Sequence, residues 1–395
     1  MPVGTLKNRL YGLGLAAVGR RSLCALPQVH GEGAKASPPV PQALYRILRR
    51  RHVVGAAIQR LSQGKLAECY TAGLAGLAPA PVPVTPDTFF RTASVAKLAT
   101  ALLVFRMQTL GKLAVEETLE DFLGLPVRNP RFPETPITLG MLLSHTSSLV
   151  DSPAYFASFQ GKPSLAALLK DPAAFASHAP GSRFQYSNLA AGMIASLLEA
   201  RFGQSFEALA QEFLFKPLEL RATFDPSALA GAAVADSYRV LPFSSKPAFQ
   251  GAKRVQTALP LGEPHPDSHY LLASGNLYIS APHMGRLLLP LMRPASPREA
   301  SFLSPESLLQ LREPKGQWPD HRVPLGHSMG LLTLEDDTVS AQRIYGHQGF
   351  AYGAVNGVFF TGEGDGFVCL NSGASEQREG HLALLNRDLI RLFLP

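Results

Sequence analysis

The sequence predicts an α+β protein: an antiparallel sheet completed from both ends of the chain, with a mostly helical segment inserted between its halves. Three observations predict it. Apolar runs at 53–61 and 66–75 flank Ser62-Gln63-Gly64 and read as a hairpin. From Lys97 to about residue 262, apolar residues recur at helical spacing between loops rich in proline and glycine. Strand-like runs then return at 329–334, 339–345, 354–360 and 367–370, separated by glycine turns. The expected division is a flexible leader at 1–41, a sheet portion at 42–100 with 266–395, and inserted helices at 101–265.

In chain order, residues 45–51 form a short helix with Arg49-Arg50-Arg51 at its exposed end. A proline-rich segment, 79–86, leads into Phe89-Phe90-Arg91-Thr92-Ala93-Ser94. Thr92 is an N-cap candidate, because its hydroxyl can accept from a first-turn amide. Leu98, Leu102 and Phe105 give the following helix its buried stripe. Thr118 starts a short helix. Thr138 caps another, which runs into His145-Thr146-Ser147-Ser148. For His145, a helix-end role satisfying carbonyls outweighs a catalytic one. An apolar helix at 189–202 follows the turn at Pro180-Gly181, so Tyr186-Ser187-Asn188 stands at a loop–helix junction. Residues 206–215 are amphipathic, and 221–268 are loop-rich with little pattern. Residues 273–279 are a polar turn into a short strand, and 281–292 a helix. Leu382, Leu385, Leu389, Leu392 and Phe393 place a last helix, 379–394, on the sheet.

Composition narrows the function. Of 395 residues, 46% are hydrophobic and 17% charged, which suits a globular chain with a generous core. The net charge of +7 comes without zinc-finger spacing or a long basic run, so nucleic acid is not an expected partner. Cys24, Cys69 and Cys369 are too few and too scattered for a disulfide framework or zinc knuckle, and Cys69 and Cys369 read as buried thiols. The sequence calls for no metal and no cofactor. Lys7 and Arg9 precede a short, glycine-broken apolar run ending near Val18, followed by Arg20-Arg21. That run is too short to span a membrane, and its form favours cytoplasmic retention over export.

Chemistry concentrates at Ser94. Lys97 lies three residues on, so a hydroxyl and an amine share one face at the start of a helix. A serine needs a neighbour to take its proton, and a lysine can do so once burial lowers its pKa. The Ser94 N–H, unpaired at a helix start, is suited to an oxyanion. Ser-x-x-Lys alone is weak, and the chain holds a second copy at Ser62–Lys65, in the hairpin turn.

What decides the reading is the order Ser94-x-x-Lys97, Tyr186-x-Asn188, His347-x-Gly349. This order resembles the penicillin-recognising serine hydrolases: class C β-lactamases, D-alanyl-D-alanine carboxypeptidases, D-aminopeptidases and family VIII-like esterases. The stretches 137–148, 273–279 and 324–330 resemble the same family, and the likeness covers roughly 42–394. The resemblance implies a β-lactamase/transpeptidase-like fold. It implies Ser94 as nucleophile, Lys97 as its proton-shuttling neighbour, and Tyr186 as second base or acid, with a nearby ammonium favouring its anion. Asn188, His347, Gln348, Gly349 and Phe350 would bind substrate, Phe350 through its N–H. A second His-x-Gly, His283-Met284-Gly285, lies in a helical pattern and is discounted. Many β-lactamases carry lysine and a small hydroxyl where His347 and Gln348 stand. The expected substrate is therefore a small ester or a peptide-like (D-amino acid) amide. A β-lactam, or a non-catalytic binding or assembly protein on the same fold, is the alternative. The oligomeric state is left open.

Overall fold

The computed structural model describes residues 10–11, 13–15, 25–30, 39–157, 164–241, 244–292, 296–319 and 322–395. The readings on Lys7, Arg9, Arg20, Arg21, Cys24 and 31–38 fall outside them. Strand β1 (Gln28–His30) comes first among the elements used here, followed by helix α1 (Pro39–Arg50), β2 (Gly55–Ser62) and β3 (Lys65–Gly76). Helix α2 (Ala96–Thr109) carries Lys97, and α3 (Leu139–Leu143) and α4 (Asn188–Phe202) lie in the helical region. After α5 (Ala281–Leu288) the chain forms β4 (Gly316–Gln317), β5 (Leu325–His327), β6 (Leu332–Asp336), β7 (Ser340–Ala351), β8 (Ala354–Thr361), β9 (Gly366–Asn371) and α6 (Leu384–Phe393).

These strands make one antiparallel sheet in the order β1-β3-β2-β9-β8-β7-β6-β5-β4, with a short strand Val82–Pro83 also on β3. The two ends of the chain meet at β2 and β9, where Leu61 faces Gly366 and Ala56 faces Asn371. The β2–β3 hairpin turns through Gln63 and Gly64, both at positive φ, which accounts for the second Ser-x-x-Lys copy.

Both faces of the sheet are covered, so β8 and β9 are buried along their whole length. Alternate residues serve different layers. Val358, Phe360, Val368 and Leu370 join the core built around α2 and α4. Val355, Phe359, Phe367 and Cys369 join a second core under α1 and α6. Arg51, just past α1, closes that second layer through an ion pair with Asp388 of α6 at 2.7 Å. Cys69 and Cys369 are buried thiols in β3 and β9.

Helix α2 is buried nearly all round, from Ala96 to Phe105 and at Met107, where the sequence suggested a single stripe. A helix apolar on every side belongs inside, and here it stands between sheet and helical region. Helix α4 is likewise buried from Leu189 to Glu199. Its close approach to the 269–271 turn requires Gly192, since a Cβ there would lie 2.0 Å from the Tyr270 carbonyl oxygen.

The structure departs from the sequence reading in several places. Gln28–His30, inside the expected leader, pairs with β3, and α1 begins at Pro39. The 221–268 segment holds a hairpin, Ser237–Val240 with Ser245–Phe249, and a helix, Gly251–Thr257. A small strand pair, Arg378–Glu379 with Leu382–Ala383, precedes α6, which therefore starts later than expected.

Gly192→Ala tests the packing of α4. Helix propensity alone favours alanine by about 1 kcal/mol. The overlap with Tyr270 acts against it, and a net loss of about 1–3 kcal/mol is expected from urea denaturation. An unchanged or higher midpoint would show that the 269–271 turn yields.

Candidate active site

Ser94 lies in a 3₁₀ turn, Ala93–Val95, that leads directly into α2. Thr92 does not cap that turn. Its hydroxyl donates to the Leu277 carbonyl at 3.2 Å, and its N–H donates to the same oxygen at 2.9 Å. Both bonds fasten the approach to strand Tyr278–Ile279 instead. Ala93 has φ +53°, a left-handed value that costs an L-residue energy and turns the chain sharply before Ser94. One glycine makes room for it: a Cβ on Gly349 would lie 2.5 Å from the Thr92 carbonyl oxygen and 3.0 Å from the Ser94 nitrogen.

Lys97 is buried, and its amine has three partners: Ser94 Oγ at 3.1 Å, Asn188 Oδ1 at 2.9 Å and the Ser274 carbonyl at 2.6 Å. Burial lowers its pKa to about 7; Asp151 opposes that shift and Arg91 adds to it. The partner chemistry then fixes the geometry of the neutral form. The amide and carbonyl oxygens can only accept, so they take the two N–H bonds. The lone pair is left facing Ser94, the one partner able to donate.

Tyr186 completes the chain of hydroxyls by donating to Ser94 Oγ at 2.9 Å. Burial pushes its phenol pKa up, outweighing the bond to Ser94. The expected anion is therefore disfavoured, because the buried phenol has lost its water and the nearby Asp151 charge adds to that effect. Tyr186 is a hydrogen-bond donor here.

Asp151 holds the Tyr186–Asn188 junction. Its carboxylate accepts from the Ser187 hydroxyl at 3.1 Å, Asn188 Nδ2 at 2.8 Å and the Leu189 N–H at 2.9 Å. With Nδ2 held by Asp151, Asn188 presents its oxygen to Lys97. The carboxylate also complements the N-terminus of α4, which Ser187 caps by accepting from Ala190 N–H at 3.0 Å.

His145 is buried and packs on Tyr186 with ring centroids 4.3 Å apart. Its Nδ1 accepts from the Ser187 N–H at 3.2 Å, so it braces the junction rather than satisfying carbonyls at the end of α3. His327 packs against it at 4.9 Å, and His347 lies 6.2 Å from His327. Burial keeps all three imidazoles neutral, lowering the pKa of His327 to about 4.

Strand β7 brings up the last motif. Gly349 passes directly over Ser94, and His347, two residues away, shares its face but is buried. His347 Nδ1 donates to the Gln348 carbonyl at 2.8 Å, and Nε2 has no partner. Gln348 does not line the site. Its amide donates to the His381 carbonyl at 2.5 Å and accepts from Ala383 N–H at 3.1 Å, on the opposite face of the sheet. The Phe350 side chain also faces that second layer, under the Arg378 guanidinium. Only the backbone of Gln348 and Phe350 is left to address Ser94, because strand parity turns both side chains away. Trp318 packs against Tyr186 with its ring tilted and the centroids 5.3 Å apart.

A profile of the Beta-lactamase family matches residues 40–389. The chain belongs to the Beta-lactamase family. Esterase EstB of Burkholderia gladioli is 31% identical over 193 residues, 44% of this chain and 47% of that protein. Penicillin-binding protein 4 of Amycolatopsis lactamdurans is 30% identical over 174 residues, 43% of this chain and 44% of that protein. The matched segments thus span less than half the length of these two relatives. Among solved structures, EstCE1, described as a hydrolase with promiscuous acyltransferase activity, superposes with a TM-score of 0.69 at 21% identity, covering 97% of this chain and 100% of that one. The fold is therefore β-lactamase/transpeptidase-like, as the motif order implied. Among the described residues, no helix is long and apolar enough to cross a membrane, and no group of three His, Cys, Asp or Glu is placed to hold a metal ion.

The structure thus gathers Ser94, Lys97, Tyr186, Asn188 and Gly349 at one point. Asp151 and Trp318 join them without having been singled out in the sequence; Ser274 and His327 join them from the 273–279 and 324–330 stretches, which carried the resemblance but no individual role. Asp151→Asn tests the junction. The variant sets two amide NH₂ groups against each other at Asn188, and an unmatched buried donor costs about 1–3 kcal/mol. Urea denaturation is expected to show that loss, and wild-type stability would mean that Asn188 is held by something else.

Proposed function

We propose that the chain is a serine hydrolase that cleaves a small ester or a peptide-like amide through an acyl-enzyme on Ser94. One observation carries the reading: the Lys97 amine, whose pKa burial lowers to about 7, lies 3.1 Å from Ser94 Oγ while Tyr186 donates to that oxygen. In this reading Lys97 accepts the Ser94 proton as Oγ attacks the substrate carbonyl. The Ser94 and Phe350 N–H groups take the developing oxyanion. Tyr186 gives its proton to the departing oxygen or nitrogen and regains one from the Lys97 ammonium. Water then attacks the acyl-enzyme by the reverse proton path, which releases the acid and restores Ser94.

Gly349 supports the oxyanion role, since only a residue without Cβ passes this close to the Ser94 nitrogen. The neutral, buried His347 offers no fixed cation to an antibiotic carboxylate, which favours uncharged esters and amides over β-lactams. The named relatives, an esterase and a penicillin-binding protein, are compatible with this class.

Ser94→Ala is expected to lose labelling by a fluorophosphonate and to lose hydrolysis of p-nitrophenyl acetate by several orders of magnitude, with folding intact. Labelling retained in that variant would remove Ser94 from the mechanism. Tyr186→Phe is expected to lower kcat strongly with a smaller change in KM, since the proton it supplies is needed in the transition state. Wild-type kcat in Tyr186→Phe would exclude it as the acid.

The pH dependence follows from Lys97, whose pKa is lowered to about 7. Below that value the amine is protonated and cannot accept, so kcat/KM is expected to rise with pH through about 7 and then level off. A rate independent of pH across neutrality would contradict Lys97 as the base.

A further inference from the structure

Trp318 is the one tryptophan of the chain. It follows β4 and is half-buried, with its backbone N–H donating to the Leu325 carbonyl of β5 at 2.9 Å. Its ring lies 5.3 Å from Tyr186, 5.1 Å from Phe184 and 4.4 Å from His381. The indole N–H has no hydrogen-bond partner, so ring and apolar contacts alone hold the side chain.

We infer that Trp318 sets which leaving group the site accepts, favouring esters and amides whose leaving group carries a planar aromatic ring. The inference rests on the roles proposed above for Ser94 and Tyr186. Tyr186 Oη lies 2.9 Å from Ser94 Oγ. The departing atom must take the Tyr186 proton, so it sits within hydrogen-bond reach of that hydroxyl. Whatever is bonded to the departing atom then extends along the wall beside Tyr186. Among the described residues, two rings pack on Tyr186: His145, which is buried, and Trp318, which is not. Trp318 is therefore the ring that an incoming group meets.

Its backing makes Trp318 a firm surface. His381 packs on it in a tilted pair, and Gln348 holds the His381 carbonyl from the far side of the sheet at 2.5 Å. Phe184 packs on both Trp318 and His327, which closes the inner side. An aromatic leaving group gains ring–ring contact here in addition to burial, whereas an aliphatic one gains burial alone.

The test compares acetate esters of benzyl alcohol and n-propanol, whose acyl parts are identical and whose alcohols are of similar acidity. The ratio of their kcat/KM values is expected to favour the benzyl ester. Trp318→Ala is expected to lower that ratio roughly tenfold, mainly through KM, and Trp318→Phe to keep most of it. Because no other tryptophan is present, emission reports this position alone: benzyl alcohol, the released product, is expected to shift the emission of the unmodified protein and of Ser94→Ala. An unchanged ratio in Trp318→Ala, or emission indifferent to benzyl alcohol, overturns the inference. So does a discrimination that follows the acyl group, read with n-propyl phenylacetate. Fluorophosphonate labelling separates the two levels. If Ser94 is labelled in Trp318→Ala and the ratio is unchanged, this inference fails and the hydrolase reading stands. If the unmodified protein is not labelled, the hydrolase reading fails and takes the inference with it.

Discussion

The Lys97 amine is where separate parts of the chain are tied together, and the surrounding architecture is arranged to hold it out of water. It contacts Ser94 on its own helical turn, Asn188 at the start of α4 and the Ser274 carbonyl before strand Tyr278–Ile279. A buried amine tolerates its position only if each hydrogen finds an acceptor. Each partner is fixed in turn. Asp151 orients Asn188. The turn bearing Ser274 is tied to α2 by Thr100, whose hydroxyl donates to the Ala273 carbonyl at 3.2 Å, and seated against α4 over Gly192. The same burial that demands these partners lowers the amine's pKa, so structural and chemical requirements coincide at one nitrogen.

The shell around that nitrogen is built from neutral groups. His145, His327 and His347 form a buried row behind Tyr186 and Lys97, and burial keeps each uncharged. A charged residue in their place would act on Lys97 directly: a cation would lower its basicity further and an anion would raise it. Packed imidazoles supply shape and polarizable surface without that effect. Tyr186 remains a phenol in the same surroundings, and both it and Lys97 are hydrogen-bonded to Ser94 Oγ.

Much of this was legible in the sequence. The long central strands and buried helices announced themselves through runs of apolar residues, and the order of three short motifs pointed to Ser94, Lys97, Tyr186 and Asn188. Strands of two or three residues, such as Gln28–His30 and Gly316–Gln317, are shorter than any periodic signal and exist because a neighbouring strand offers them an edge. Ser274 acts through a carbonyl that every residue possesses, so its side chain gave no sign. Asp151 and Trp318 matter because of what the fold brings beside them. Gln348 is a different case. Strand parity was available in the sequence, and it places Gln348 on the face opposite His347 and Gly349.

The meeting of β2 with β9 also sets a timetable for the chain as it is made. Ser94 and Gly349 lie roughly 250 residues apart, a delay of about 10–50 s at ordinary rates of synthesis. Throughout that interval β2 has its hairpin partner β3 but no β9, so one edge of an apolar strand stands open. The half-made chain is thus exposed to mispairing when helix α2, buried nearly all round in the finished fold, also lacks its cover. No nascent fragment that stops short of Gly349 contains the assembled centre, which is complete only when the late strands close over Ser94.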